Sequence, residues 1–380
     1  NRQVRDQGVI IATNGAVGGV TTLGLTVDGV DTVAASTLTV SGNAVTALAY
    51  VNQSVQEMLL SPTNMLGMTA GLSSAQNAID SSVAASTYGA VSLQAAGAVS
   101  AASGLALNNN AVDAWAYRNS ANNSMVVDST TVSGSGRAVT TAQSLASSAA
   151  LVKADFALNN NQLAIGDSTT TATTVGTASL TASSTVTASN LNLNTNALGA
   201  YASGNAASNE LGLTVTQLTQ ATGAIASYQS ASKVSTASPE VIADVDGSVK
   251  LTASDLTSVS ANVKDNTIKS TALGNVVSNT LALSGSVLTG KASDPDGVTS
   301  SATTTSATSA ADFAISNVQL NDAFVFSKTE GSVQIATGSL SGSALTLTGN
   351  TVKSLAQANS AVNDLSLRVT EQQDSTAAVT

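Results

Sequence analysis

The stretch NALGAYASGNAASNELGL, residues 196–213, contains the pattern that organises the whole chain. It begins with an anchoring asparagine, has a second asparagine nine positions later, and ends with two large apolar residues in alternation. The pattern occurs five times with the same internal spacing. The anchoring asparagines are Asn43, Asn110, Asn196, Asn266 and Asn350, and the second asparagines are Asn52, Asn119, Asn205, Asn275 and Asn359. Five copies of one spacing predict a repeated structural unit rather than a pocket that is built once.

Within each copy, small or apolar residues alternate with others, which is typical of a β-strand with one buried face. In the third copy they are Leu198, Ala200, Ala202 and Gly204. The first and fifth copies also fit one face of a helix, but the frequent Asn and Gly favour strands joined by turns. We therefore predict a β-dominated chain with alanines facing a narrow interior. These alanines are Ala47, Ala49, Ala114, Ala116, Ala200, Ala202, Ala272 and Ala356.

The spacing between successive anchors alternates between short and long, at 67, 86, 70 and 84 residues. Two neighbouring spacings add up to a longer period of about 155 residues. In agreement, the segment 155–163 returns as 312–320 with six of its nine positions identical. The chain therefore reads as an N-terminal arm (1–30), a region of five modules (31–367) and a C-terminal tail (368–380).

An apolar pair also lies twenty residues before the pair that ends each copy, as with Leu191 and Leu193 before Leu211 and Leu213. A strand, an asparagine turn, a second strand and another turn would make one circuit of that length. This predicts a β-solenoid with coils of about twenty residues. Because the full motif returns only at every fourth such coil, tandem β-sandwich-like modules are the alternative.

Composition and charge exclude several classes of function. The chain has no cysteine and no histidine, so thiolate and imidazole chemistry are excluded. A net charge of −10 argues against nucleic acid as a partner. There is no apolar run of about eighteen residues, so we expect no membrane span. The first residue is Asn1 rather than methionine, and signal-peptide cleavage is one explanation, which predicts a secreted protein.

Candidate sites for chemistry are few. The asparagines are predicted to be structural turn residues, although a polysaccharide ligand is an alternative. The pairs Asp244, Asp246 and Asp294, Asp296 resemble the start of a calcium loop but lack its later acidic ligand, so no metal site and no cofactor are predicted. No nucleophile or acid–base set stands out, which predicts a protein that is not an enzyme. Trp115, Tyr117 and Tyr201 lie at positions opposite the alanines, where they would seal a subunit or sugar contact.

The repeat of the third copy, through Asn196, Leu198, Ala200, Asn205 and Leu211, resembles bacterial extracellular β-repeat proteins. In composition it is similar to holdfast-anchor proteins of alphaproteobacteria, and more distantly to curli-type fibre subunits, whose repeats are shorter and contiguous. The resemblance implies a fibre or adhesive anchor on the bacterial cell surface.

We therefore expect a secreted structural subunit that assembles head to tail with copies of itself, with surface polysaccharide as a further partner. Val9, Ile10 and Ile11 are the candidate strand for joining subunits. A second copy following directly would place its Asn43 at 73 positions after Asn350, within the range of spacings seen inside the chain. The alternative is a monomeric β-solenoid that binds or cleaves polysaccharide.

Overall fold

The computed structural model describes residues 1–15, 23–134, 139–145, 148–234, 238–291, 297–302 and 306–380. Most of these residues lie in β-strands, and no helix occurs among them. Equivalent strands of successive repeats pair side by side in continuous, mostly parallel sheets. The fold is therefore a β-solenoid, which confirms the all-β repeat architecture and rules out separate sandwich modules.

The chain forms five coils and begins a sixth. The first coil contains β1 (Arg2–Asn14), β2 (Leu23–Val30), β3 (Val33–Ala34), β4 (Thr37–Ser41), β5 (Ala44–Leu60) and β6 (Asn64–Leu66). The second contains β7 (Ala70–Ala95), β8 (Val99–Ser100), β9 (Gly104–Asn108) and β10 (Ala111–Ser133). The third contains β11 (Val139–Leu145), β12 (Ser148–Ala154), β13 (Phe156–Ile165), β14 (Thr169–Ala182), β15 (Val186–Thr187), β16 (Asn190–Asn194) and β17 (Ala197–Thr219).

The fourth coil contains β18 (Gly223–Ser232), β19 (Glu240–Ala253), β20 (Leu256–Thr257), β21 (Ser260–Lys264) and β22 (Thr267–Thr289). The fifth contains β23 (Gly297–Ala302), β24 (Ser306–Ala310), β25 (Phe313–Asn321), β26 (Phe324–Thr337), β27 (Leu340–Ser341), β28 (Ala344–Thr348) and β29 (Thr351–Gln373). The last strand, β30 (Ala377–Val379), lies on β25 and begins the sixth coil.

One coil is a whole repeat of 67 to 86 residues, so the prediction of a twenty-residue coil is wrong. Leu191 pairs with Leu105 of the coil before, and Leu211 pairs with Met125. The two apolar pairs of one repeat therefore belong to different strands of the same coil. Both strands face the interior and share the same alternation, which is why their sequences look like successive turns of a smaller coil.

Two large sheets face each other across the interior. The first sheet has ten strands, ordered β26-β19-β14-β7-β13-β18-β25-β30 with β1 and β2 on β7, and the second has six, ordered β29-β22-β17-β10-β5 with β6 on β10. Two five-stranded sheets of short strands close each coil at a corner. Because the parallel pairing is in register, each sequence position forms a column that runs along the stack.

One part of the interior between these sheets is narrow and contains many small residues, whereas another contains large side chains such as Phe156 and Phe313. The predicted alanines are buried in the first four coils, and Ala114, Ala116, Ala202 and Ala272 have no exposed surface. Ala356 is exposed because it lies in the last full coil. A column of glycines in the first sheet lies against apolar side chains of the second. Gly89 and Gly176 lie against Val112, Gly247 lies against Leu198, and Gly331 lies against Ile268. Large side chains on one sheet thus occupy the space that the glycines leave on the other.

Hairpins on the flank explain the alternation of short and long spacings. β11 and β12 form a hairpin at the start of the third coil, and β23 and β24 form another at the start of the fifth. β12 pairs with β23 in one antiparallel sheet. Two hydrogen-bonded strands span about 9.6 Å, which is the height of two coils. One hairpin for every two coils is therefore enough to continue the flank sheet, and this produces the period of about 155 residues.

Candidate functional site

The anchoring asparagines form a ladder at the corner where the short strands β4, β9, β16, β21 and β28 lead into the long strands of the second sheet. The Nδ2 and the backbone N–H of each asparagine donate to Oδ1 of the asparagine in the next coil. The four Nδ2–Oδ1 distances are 3.0, 2.9, 3.0 and 2.9 Å. The residue before each anchor has a left-handed backbone, in order Gly42, Asn109, Thr195, Asp265 and Gly349. The first series of asparagines therefore does lie at turns.

The second series does not lie at turns, and that part of the sequence prediction is wrong. Asn52, Asn119, Asn205, Asn275 and Asn359 lie inside long strands and form a ladder with steps of 2.8, 2.7, 2.7 and 2.9 Å. The amide also bridges the interior, as Nδ2 of Asn119 donates to the carbonyl of Leu163 in the first sheet at 2.8 Å. Each buried amide thus has one bond along the stack and one across it, so its N–H groups are satisfied.

A glutamine ladder on the opposite sheet was not found from the sequence. Its members are Gln3, Gln76, Gln162, Gln229 and Gln319, with steps of 2.9, 2.7, 2.7 and 2.7 Å. Nε2 of Gln162 also donates across the interior to the carbonyl of Ala206 at 2.8 Å. The glutamines donate toward the first coil, whereas the asparagines donate toward the fifth. The dipoles of the two kinds of ladder therefore oppose each other.

A further ladder runs beside these two, from Gln56 through Asn123, Asn209 and Asn279 to Asn363, and it also donates toward the fifth coil. Each ladder ends with unused groups, because the described residues supply no further rung of any of the ladders. The fifth coil has the Nδ2 of Asn363 and the Oε1 of Gln319 at its open end, and the first coil has the Oε1 of Gln56. The first coil also has the Oδ1 of Asn52 at its open end. The two ends of the stack thus carry opposite halves of the same hydrogen bonds.

The fifth coil also exposes residues that are core in the other coils. Leu345 and Leu347 are 41% and 52% exposed, whereas their equivalents Leu191 and Leu193 are completely buried. Burying such side chains is favourable by about 1.5–3 kcal/mol each. The open face of the fifth coil is therefore an apolar surface with unpaired strand edges around it.

The candidate joining residues lie within the chain's own first coil. Val9, Ile10 and Ile11 belong to β1, which pairs in parallel with β7, and Ile10 packs against the main core. Val9 and Ile11 point outward and are exposed. β1 is an outer strand of the stack, and its role in joining a second copy stays a prediction.

Four aromatic side chains form a strip on the outer face of the second sheet. Ring centroids are 4.9 Å apart for Tyr50 and Tyr117, 5.3 Å for Tyr117 and Tyr201, and 5.1 Å for Trp115 and Tyr201. The three aromatic residues predicted to lie outside the coil do so, and they contact one another. These four residues are called the aromatic strip, and it runs obliquely from the first coil to the third.

A cleft lies beside the upper end of this strip. It has a volume of about 150 Å³ and is lined by Asp113, Trp115, Tyr201, Lys269 and Thr271 around Gly199. Asp113, Gly199 and Lys269 occupy one column of three successive coils. Burial raises the pKa of the Asp113 carboxyl to about 6. The cleft therefore combines aromatic side chains with a carboxylate on one side and an ammonium group on the other.

The candidate calcium residues Asp244 and Asp246 do not lie in a loop. Asp244 and Asp246 lie inside β19, on its outer face, and pair with Lys328 and Glu330 of β26. Lys328 and Glu330 form an ion pair at 2.6 Å. Desolvation raises the pKa of Asp244, and the charge of Lys328 opposes that rise. Asp294 and Asp296 lie outside the described residues, and among those described no group of three or more acidic or other metal-binding side chains comes together.

Comparisons with known proteins leave function to be inferred from geometry. No family model matches the chain, and no curated protein and no solved structure matches it either. The part of the chain that the structure describes contains no helical segment with the length and hydropathy of a membrane span. The amide ladders with their open ends are the feature with the clearest chemical consequence.

Proposed function

We propose that this chain is a structural subunit that stacks end to end with copies of itself to form a β-solenoid fibre. The main support is the match between the two ends of the stack. In a head-to-tail contact, Asn359 and Asn363 would donate to Asn52 and Gln56 of the next copy, and Gln319 would accept from its Gln3. A head-to-head contact would oppose like groups. The contact is therefore heterologous and open-ended, which is the kind that produces filaments.

The apolar face of the fifth coil supports the same contact. A second copy would cover Leu345 and Leu347, as the third coil is covered by the fourth. The unpaired backbone groups of β26, β28 and β29 would pair with β-strands of the first coil, so that the sheets continue through the joint.

The resemblance of the repeat to bacterial extracellular β-repeat proteins extends this proposal to a setting. The subunit would be secreted and would form a fibre or adhesive anchor at the cell surface. It would have a structural role and no catalytic one.

Electron microscopy of a matched pair of variants tests the proposal. Leu347→Lys places a charge on the open apolar face, and Thr346→Lys places the same charge on the outward side of the same strand. We expect filaments from the wild type and from Thr346→Lys, and folded short rods from Leu347→Lys, with circular dichroism confirming the fold of each. Isolated short rods from the wild type at every concentration would overturn the proposal and favour a monomeric solenoid that binds polysaccharide.

A further inference from the structure

We propose that the cleft beside the aromatic strip binds a neutral carbohydrate chain, with one sugar ring stacked on Tyr201 and Trp115. The site lies on the flank of the second to fourth coils, away from both ends of the stack. It is therefore present in a single subunit as well as in a fibre, and it does not depend on the proposed assembly.

The shape of the cleft depends on a missing side chain. At the third coil the column that contains Asp113 and Lys269 is occupied by Gly199, which leaves a gap between the two charged residues. A Cβ atom placed on Gly199 would lie 2.5 Å from Oδ1 of Asp113, so the carboxylate leans over the gap. The side chains of Trp115 and Tyr201 line the cleft beside this gap.

The chemistry of the walls matches a sugar ring. A pyranose has a face of C–H groups, which packs on an aromatic ring, and a rim of hydroxyls that both donate and accept hydrogen bonds. Asp113 supplies an acceptor and Lys269 supplies donors. Within the described residues the carboxylate of Asp113 forms no ion pair, so it is available to a ligand.

The charge balance favours a neutral ligand over an anionic one. The chain has a net charge of −10, and Asp113 lies in the cleft itself. An acidic polymer would be repelled by both. The strip continues beyond the cleft through Tyr117 and Tyr50, and these rings provide stacking positions for further sugars of the same chain.

The fluorescence of Trp115 reports on this site without a label, because the chain has a single tryptophan. The probes are neutral hexasaccharides of glucose, of N-acetylglucosamine and of mannose, each titrated into the wild type. We expect a saturable change in emission with at least one of them. Tyr201→Ala, which removes the stacking ring, and Gly199→Ala, which displaces Asp113, should each weaken binding at least tenfold.

Tyr88→Ala is the matched control, since Tyr88 is a partly buried tyrosine on the outer face of the other large sheet, on β7. It should bind as the wild type does, and Leu347→Lys should also bind normally, which separates this site from assembly. The proposal is overturned if none of the three sugars gives a saturable change, or if folded Tyr201→Ala binds as tightly as the wild type. It is also overturned if Tyr201→Ala alters only the sideways association of filaments, because the strip would then be a contact between copies.

Discussion

At the scale of single residues, the stability of this molecule depends on how little space its interior has. Ala202 lies on β17 between the two large sheets and is completely buried, whereas Ser208 on the same strand faces solvent. Ala202→Leu should lower the free energy of unfolding by about 1–3 kcal/mol through overpacking. Ser208→Leu should change it by no more than about 0.5 kcal/mol. Chemical denaturation measures both, and equal effects would show that Ala202 does not face a tight core.

Asp113 makes the stability of the folded molecule depend on pH. Its folded pKa of about 6 lies above the usual value of 3.8 because the carboxyl is buried. The folded state therefore holds this proton more tightly, and its contribution to stability falls as the pH rises from about 4 to about 6. Asp113→Asn should be more stable than the wild type by about 1–2 kcal/mol at pH 7. The difference should disappear below about pH 4, and an equally stable or less stable variant at pH 7 would contradict this assignment.

At the scale of strands and ladders, each side-chain amide contributes most to the free energy of unfolding where it has hydrogen-bonded neighbours in the coils on both sides. Asn205 accepts from Asn119 and donates to Asn275 and to the carbonyl of Ser230. Asn205→Ala should therefore lower the free energy of unfolding by about 2–3 kcal/mol, because buried partners lose their bonds. Asn359→Ala, in the exposed last rung of the same ladder, should cost less than about 1 kcal/mol. Thermal denaturation of the two variants compares them directly, and a larger loss from Asn359→Ala would exclude the ladder as a stabilising element.

The sequence was sufficient to predict the strands and the turns at the anchoring asparagines, because Asn110 and Asn196 each stand at a constant spacing from their own strand. It was not sufficient to predict the glutamine ladder. Gln76 lies 24 residues after Asn52, but Gln162 lies 43 residues after Asn119, since a hairpin intervenes in alternate coils. When the connection between the two large sheets varies in length, residues that face each other across the interior do not recur at a constant spacing in the sequence. The prediction of a twenty-residue coil was wrong for a related reason. Alternation of apolar residues shows which face of a strand is buried, but it does not show which strand of the next coil pairs with it.

At the scale of the whole molecule, the stack has direction, and its two ends differ. The first coil keeps Val40 and Val45 buried, whereas the fifth coil exposes Leu345, Leu347 and Val352. A fibre built from such units grows by covering the open face of the fifth coil.

We therefore expect that a Leu347→Lys subunit binds the end of a wild-type filament through its unaltered first coil. No further subunit can then bind to its altered fifth coil, so growth at that end stops. Adding this variant to growing wild-type filaments should shorten them, as length measurements in electron micrographs would show. Unchanged filament lengths at equal concentrations of the two proteins would contradict a directional joint.

The axial repeat of the filaments, measured by cryo-electron microscopy, tests end-to-end stacking most directly. Five coils spaced about 4.8 Å apart give a subunit repeat of about 24 Å when the coils continue without a gap through each joint. End-to-end stacking predicts this repeat together with a continuous spacing of about 4.8 Å along the axis. Filaments whose subunits lie side by side, or whose repeat leaves a break in the coil spacing at each joint, would contradict it.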